Sequence, residues 1–176
     1  MGESVIVPTD LDLIAPAEEL VALARREGVT LGCAESCTGG LVCAALTAVP
    51  GSSAVVRGGV VSYAIEVKRR ILGVSGEVLD NPALGAVSAE CAEQMALGAA
   101  RALRADVTVS VTGIAGPGGA EPGKPVGTVW LGLSCRGAAR SRLLSLDGGR
   151  ERVRSRAVLE ALSLMREGVM EASRLA

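Results

Sequence analysis

Two short segments carry residue types that can attack a carbonyl group. In Ala34-Glu35-Ser36-Cys37-Thr38-Gly39-Gly40 a serine stands between a stretch that reads as a strand and one that reads as a helix. Its hydroxyl can project above a sheet there, while the amides of Thr38, Gly39 and Gly40 face a carbonyl oxygen as it gains charge. The same residues also suit a plain helix start, with Ser36 or Thr38 as the cap and the glycines allowing tight packing. Ser62-Tyr63-Ala64-Ile65-Glu66-Val67-Lys68 holds the only tyrosine and a lysine five positions on, at a strand end and the helical turn after it. Both can reach one pocket, although Lys68 also suits an exposed basic face with Arg69 and Arg70.

The chain contains no histidine, which excludes Ser-His-Asp and Cys-His catalysis and every histidine-ligated metal centre. Lysine, tyrosine, carboxylate and cysteine remain as bases. Lys68 and Lys124 are the only lysines among 18 basic residues; the others are arginines, which hold their protons. A third segment, Val111-Thr112-Gly113-Ile114-Ala115-Gly116-Pro117-Gly118-Gly119, reads as a strand entering a glycine-rich loop that continues to Gly123-Lys124-Pro125-Val126-Gly127. Its glycines let backbone amides approach a ligand closely, and Thr112 adds a hydroxyl. It lacks the GK[ST] ending and following helix of a phosphate-binding Walker loop, and an ordinary mobile connection fits it as well.

The elements that must position these residues alternate. Leu11 to Glu27 has apolar residues at helical spacing and stops at Gly28, and 29–34 reads as a strand. A helix over 38–48, a strand over 57–63 and a short helix over 66–72 follow. An alanine-rich helix spans 88–103 with Ser88 as its cap, and a strand covers 106–111. Strands at 126–134 and 141–146 flank a turn at 136–138, and an amphipathic helix closes the chain over 150–175. This order predicts an α/β fold, a three-layer α/β/α sandwich around one mixed sheet, whose ligands gather at the carboxyl ends of the strands.

Composition narrows the function classes. A net charge of −1 and two aromatics, Tyr63 and Trp130, offer neither attraction for nucleic acid nor a series of stacking platforms. Cys33, Cys37, Cys43, Cys91 and Cys135 are odd in number and lack CxxC spacing, so neither a zinc site nor a disulfide framework is expected. No signal segment and no run of eighteen apolar residues stands out, which points to a cytoplasmic protein without membrane contact.

AESCTGG, SYAIEVKRRILGV, the SAE start of the alanine-rich helix, VTGIAGPGG with KPVGTVW, and GGRERVRSRAVLEAL occur in that order from about Leu13 to the last helix. Together they closely resemble the signature segments of the CinA C-terminal domain family. The resemblance implies a single amidohydrolase-like domain over 1–176, with no room for the N-terminal domain of larger family members. It implies hydrolysis of the carboxamide of nicotinamide mononucleotide, a pyridine nucleotide, to nicotinate mononucleotide and ammonia. No cofactor or metal is expected, and the chain is expected to act as a homo-oligomer.

By motif position the resemblance makes Ser36 the nucleophile, Lys68 its base and Tyr63 a supporting hydroxyl. Substrate contacts then fall to Thr38, Gly39, Gly40, Thr112, Gly113 and Arg150, whose guanidinium can grip a phosphate. Most of the other arginines there, Arg152, Arg154 and Arg156, are expected on a solvated helix face paired with Glu151 and Glu160. Two positions depart from the family pattern: Ile65 stands where many members have asparagine, and Gly149 where they have aspartate. Lys68 must be neutral to take the Ser36 proton, which needs burial or nearby cations. A pyridinium ring withdraws electrons from its carboxamide, so the cationic nucleotide suits this attack better than free nicotinamide. Two other classes fit the same resemblance: a non-catalytic sensor of pyridine nucleotides, and an interaction module in competence or DNA damage.

Overall fold

The computed structural model describes residues 11–175. Its elements run α1 (Leu11–Glu27), β1 (Leu31–Glu35), α2 (Leu41–Thr47), a 3-10 turn (Ser52–Ala54), β2 (Val56–Val61), α3 (Ile65–Leu72), α4 (Gly76–Leu79) and α5 (Ala89–Leu103), then β3 (Val107–Gly113), β4 (Thr128–Cys135), β5 (Ala138–Ser145) and α6 (Arg150–Arg174). The strands form one sheet in the order β2-β1-β3-β4-β5. β1 pairs parallel with β2 and β3, while β3–β4 and β4–β5 are antiparallel. Helices α1, α2 and α6 cover one face and α3, α4 and α5 the other, giving the expected α/β/α sandwich.

Side-chain alternation along the strands sorts the core. Leu31, Cys33, Val107, Val109, Val111, Val129, Leu131 and Leu133 point to the α1/α6 face and join the larger apolar cluster. The opposite face carries small and hydroxylated residues. Thr108, Ser110 and Thr112 donate to the carbonyls of Ala96, Ala92 and Ala86 at 2.7, 2.6 and 2.6 Å. A Cβ on Gly132 would lie 2.2 Å from the Ala92 carbonyl oxygen, and one on Gly98 would lie 2.0 Å from that of Leu72. Helix α5 therefore rides against both the sheet and the end of α3 at separations that only glycine and small residues permit. Almost no aromatic side chains are needed to fill so thin a layer.

Ser88 caps α5 as expected, accepting from the Cys91 amide at 3.2 Å. The helix expected over 38–48 begins only at Leu41, because Gly39 and Gly40 adopt left-handed backbone angles, φ 63° and 101°. The 3-10 turn and α4 have too few residues to show a helical period, and sequence reading passed over both. The last strand begins at Ala138 rather than at 141, directly after the two-residue turn Arg136-Gly137. Among the described residues no helix is long and apolar enough to cross a membrane.

Candidate active site

Ser36 follows β1 directly and is held by its amide, which donates to the Val111 carbonyl at 2.9 Å. The even positions of β1 face α5, and Ala34 is packed among Leu72, Cys91 and Met95. Ser36 continues that face toward α3. Lys68, at the end of the first turn of α3, meets it with Nζ 2.8 Å from Oγ. The other neighbours of Nζ are the carbonyls of Ser62 at 2.6 Å and Tyr63 at 3.3 Å.

That arrangement suits a neutral amine. Two N–H bonds to the carbonyls leave the nitrogen lone pair directed at the Ser36 hydroxyl, which then donates to it. Lys68 is only 1% exposed, and among the described residues no carboxylate contacts its Nζ. Burial holds its pKa below the ordinary lysine value; the nearby thiols of Cys91 and Cys37 pull weakly the other way. Cys37, the neighbouring nucleophile, is buried, and desolvation pushes its thiol up to about 11. Near neutral pH it is a protonated thiol and a weak competitor for Ser36.

The loop after Ser36 is anchored from two sides. Buried Glu35 turns its carboxylate under the loop and accepts from the amides of Gly40 at 3.0 Å, Val42 at 3.1 Å and Cys43 at 2.9 Å. It caps α2 from within β1, a role that sequence reading missed: the cap precedes the helix by six residues instead of one. From the other side Arg154 of α6 donates through Nε to the Cys37 carbonyl at 3.1 Å and through Nη2 to that of Thr38 at 2.9 Å. Arg154 is thus an exception to the solvated face expected for most of these arginines, since its guanidinium ties α6 to the loop after Ser36.

These contacts change which backbone amides are free to meet a ligand. The Gly40 amide is taken by Glu35, and the Gly39 amide donates to the Ser36 carbonyl at 3.1 Å. Neither is free for a ligand, contrary to expectation. The Thr38 amide has no acceptor among the described residues, and its buried hydroxyl has no partner either. Gly113 supplies a second free amide. Because Val111 turns its carbonyl to β1 and peptide orientation alternates, Gly113 also faces β1, one step beyond the last paired residue. Its N–H has no acceptor among the described residues and points to the Ser36 side. The Thr112 hydroxyl is committed to Ala86, so on this strand it is the glycine amide that is available.

Tyr63 reaches Lys68 through its carbonyl; the residue is 65% exposed, and its hydroxyl makes no hydrogen bond among the described residues. Arg150 donates to the Gly116 carbonyl at 2.9 Å, which brings the glycine-rich loop against the start of α6. The amides of Arg150, Glu151 and Arg152 have no acceptor among the described residues, and Gly149 provides no side-chain cap. Lys124, the other amine, bonds the Leu84 carbonyl at 2.6 Å and pairs with Glu121 at 3.4 Å, and so braces the loop. A cavity of about 420 Å³ beside Trp130 and Lys124 includes neither Ser36 nor Lys68. Among the described residues no cluster of three or more His, Cys, Asp and Glu side chains stands ready to hold a metal ion.

Residues 14–169, which include every side chain of this site, match the CinA C-terminal domain. The chain belongs to that family. It is 48% identical over 149 residues to a CinA-like protein of Citrifermentans bemidjiense, covering 85% of this chain but 36% of that protein. The chain thus spans well under half the length of the curated relatives it matches. Among solved structures, the competence/damage inducible protein CihA of Agrobacterium tumefaciens is similar with a TM-score of 0.86 and 40% identity, over 94% of this chain and 99% of that one. A CinA superfamily protein of Klebsiella pneumoniae gives 0.85 and 33%, over 90% and 98%. The CinA sandwich accounts for the mixed five-stranded sheet with helices on both sides.

Proposed function

We propose that this chain hydrolyses the carboxamide of nicotinamide mononucleotide to nicotinate mononucleotide and ammonia, with Ser36 as nucleophile and Lys68 as base. The observation that carries this reading is the 2.8 Å contact between Ser36 Oγ and a buried, carbonyl-held Lys68 Nζ. Lys68 takes the hydroxyl proton as Ser36 attacks the carboxamide carbon. The amides of Thr38 and Gly113 receive the oxyanion. The proton on Lys68 then passes to the departing nitrogen, ammonia leaves, and Lys68 draws a proton from the water that opens the acyl-serine.

The substrate assignment rests on the family resemblance, and two features support it. The Arg150 guanidinium and the uncapped amides at the start of α6 form an anion-binding end suited to a nucleotide phosphate. Gly149, in place of the family's aspartate, adds no negative charge there. Ile65, in place of asparagine, puts a half-exposed apolar side chain beside Tyr63 and favours stacking against a ring over hydrogen bonding to it.

Ammonia release measured over a panel of nicotinamide mononucleotide, its riboside and free nicotinamide tests the reading. Turnover of the mononucleotide is expected to be fastest, and Ser36→Ala is expected to abolish it while the fold persists. Full turnover in Ser36→Ala with loss in Cys37→Ala would move the nucleophile to the thiol. Relatives carry the description competence/damage inducible, which keeps an interaction module as the second reading. A partner capture insensitive to Ser36→Ala, in a chain without turnover, would favour it.

A further inference from the structure

Cys33 and Cys43 take no part in the proposed reaction, yet they meet directly beneath the nucleophile loop. Cys33 lies on β1, two residues before Glu35, and Cys43 on the first turn of α2. A Cβ on Gly59 of β2 would fall 2.7 Å from Cys33 Sγ and 3.1 Å from Cys43 Sγ, so the bare glycine leaves one gap that both sulfurs share. Both residues also touch the Glu35 carboxylate, Cys33 through its thiol at 3.5 Å and Cys43 through its amide at 2.9 Å. Cys33 is sealed in the core, whereas Cys43 is partly open to small solutes.

We propose that Cys33 and Cys43 are an oxidisable thiol pair that a hydroperoxide converts to a disulfide, loosening Glu35's hold on the loop that carries Ser36. In the first step the Cys43 thiolate attacks the peroxide. The O–O bond breaks, hydroxide leaves, and Cys43 becomes a sulfenic acid. In the second, Cys33 sulfur attacks the Cys43 sulfur, its proton leaves with the displaced hydroxyl as water, and the S–S bond forms. Two thiols and one hydrogen peroxide thus give one disulfide and two waters. The reactivity order fits: interaction with the adjacent Cys33 thiol lowers the Cys43 thiol to about 7, while the same interaction and burial raise Cys33 well above its usual value.

The bond consumes the thiol proton that Cys33 donates to Glu35 and draws the first turn of α2 against β1. Glu35 accepts from Gly40 and Val42 with its other oxygen, so a shifted carboxylate slackens the turn between Ser36 and α2. Only this last consequence rests on the proposed role of Ser36.

The test treats the intact chain with stoichiometric hydrogen peroxide, alkylates the remaining thiols, reduces, and labels the released ones with a second alkylating reagent. The expected result is a mass loss of two hydrogens and second labels on Cys33 and Cys43 alone, absent in Cys43→Ser. Hydrogen–deuterium exchange at 40–43 should accelerate in the oxidised chain, and amide hydrolysis should fall about tenfold or more, as displacement of a nucleophile permits, until a dithiol restores it. Oxidation that stops on Cys43 with Cys33 still alkylated, or that joins Cys37, overturns the pair. A mapped Cys33–Cys43 bond with unchanged exchange at 40–43 overturns the link to Glu35. Both readouts hold even if no amide is hydrolysed, so they fail separately from the proposed activity.

Discussion

Lys68 Nζ stands 2.8 Å from Ser36 Oγ and is bonded to two backbone carbonyls, so its nearest partners accept hydrogen bonds without fixing a positive charge. An ammonium ion has three donors for these three acceptors, but burial makes the charged form costly. The neutral amine keeps both carbonyl bonds and turns its lone pair to the serine. The site can therefore alternate between protonation states without moving heavy atoms, as a base that must accept and return a proton requires.

The first prediction follows from that pair. Lys68→Arg is expected to lose turnover nearly as completely as Lys68→Ala, by about 10²–10⁴-fold, because arginine keeps the charge but cannot give up its proton. With the neutral amine as the proposed active form, kcat/KM should fall as pH drops, through a limb lying below the ordinary lysine range. The same depressed pKa means the unfolded chain binds a proton that the folded one releases. Lys68 thus makes stability rise with pH between its folded and unfolded values. A flat profile with chemistry rate-limiting would remove Lys68 as the base.

Glu35→Gln should destabilise the chain although the side chain keeps its size. The carboxylate accepts from backbone amides with both oxygens, whereas an amide side chain must present an NH₂ to at least one of them. Each orphaned buried amide costs about 1–3 kcal/mol, readable as a lower midpoint in urea unfolding. A midpoint equal to that of the native chain would mean the cap contributes nothing.

Arg154→Ala removes two charge-assisted bonds to the nucleophile loop, each worth about 1.5–3 kcal/mol at most, and is expected to lower kcat more than it raises KM. Arg154→Lys should not restore the rate, because an ammonium cannot span the Cys37 and Thr38 carbonyls as the planar fork does. Full recovery in the lysine variant would reduce the residue to a local charge.

Arg150→Ala should weaken binding of the mononucleotide about 10–100-fold and that of the unphosphorylated riboside little, as expected for loss of one charge-assisted phosphate contact. Equal losses for both ligands, measured by titration with the Ser36→Ala chain, would place phosphate recognition elsewhere.

The sequence alone indicated the layered architecture and singled out the two segments whose Ser36 and Lys68 the structure brings together. Alternating periods of two and 3.6 show which stretches are strands and which are helices, and the absence of histidine with only two lysines leaves few bases to weigh. Local pattern is enough for such choices, because element type and residue chemistry are properties of neighbours in the chain. Which groups are satisfied was decided by the tertiary structure. Glu35 beneath the loop, Arg154 reaching back from α6, and Tyr63 serving through its carbonyl depend on contacts between elements far apart in sequence. The Gly39 and Gly40 amides read as free donors in the chain, but one is consumed by the turn and the other by a carboxylate from β1. A backbone N–H carries no sequence signature of its partner, so the amides left for an oxyanion became legible only once the peptide planes of β1 and β3 were in register.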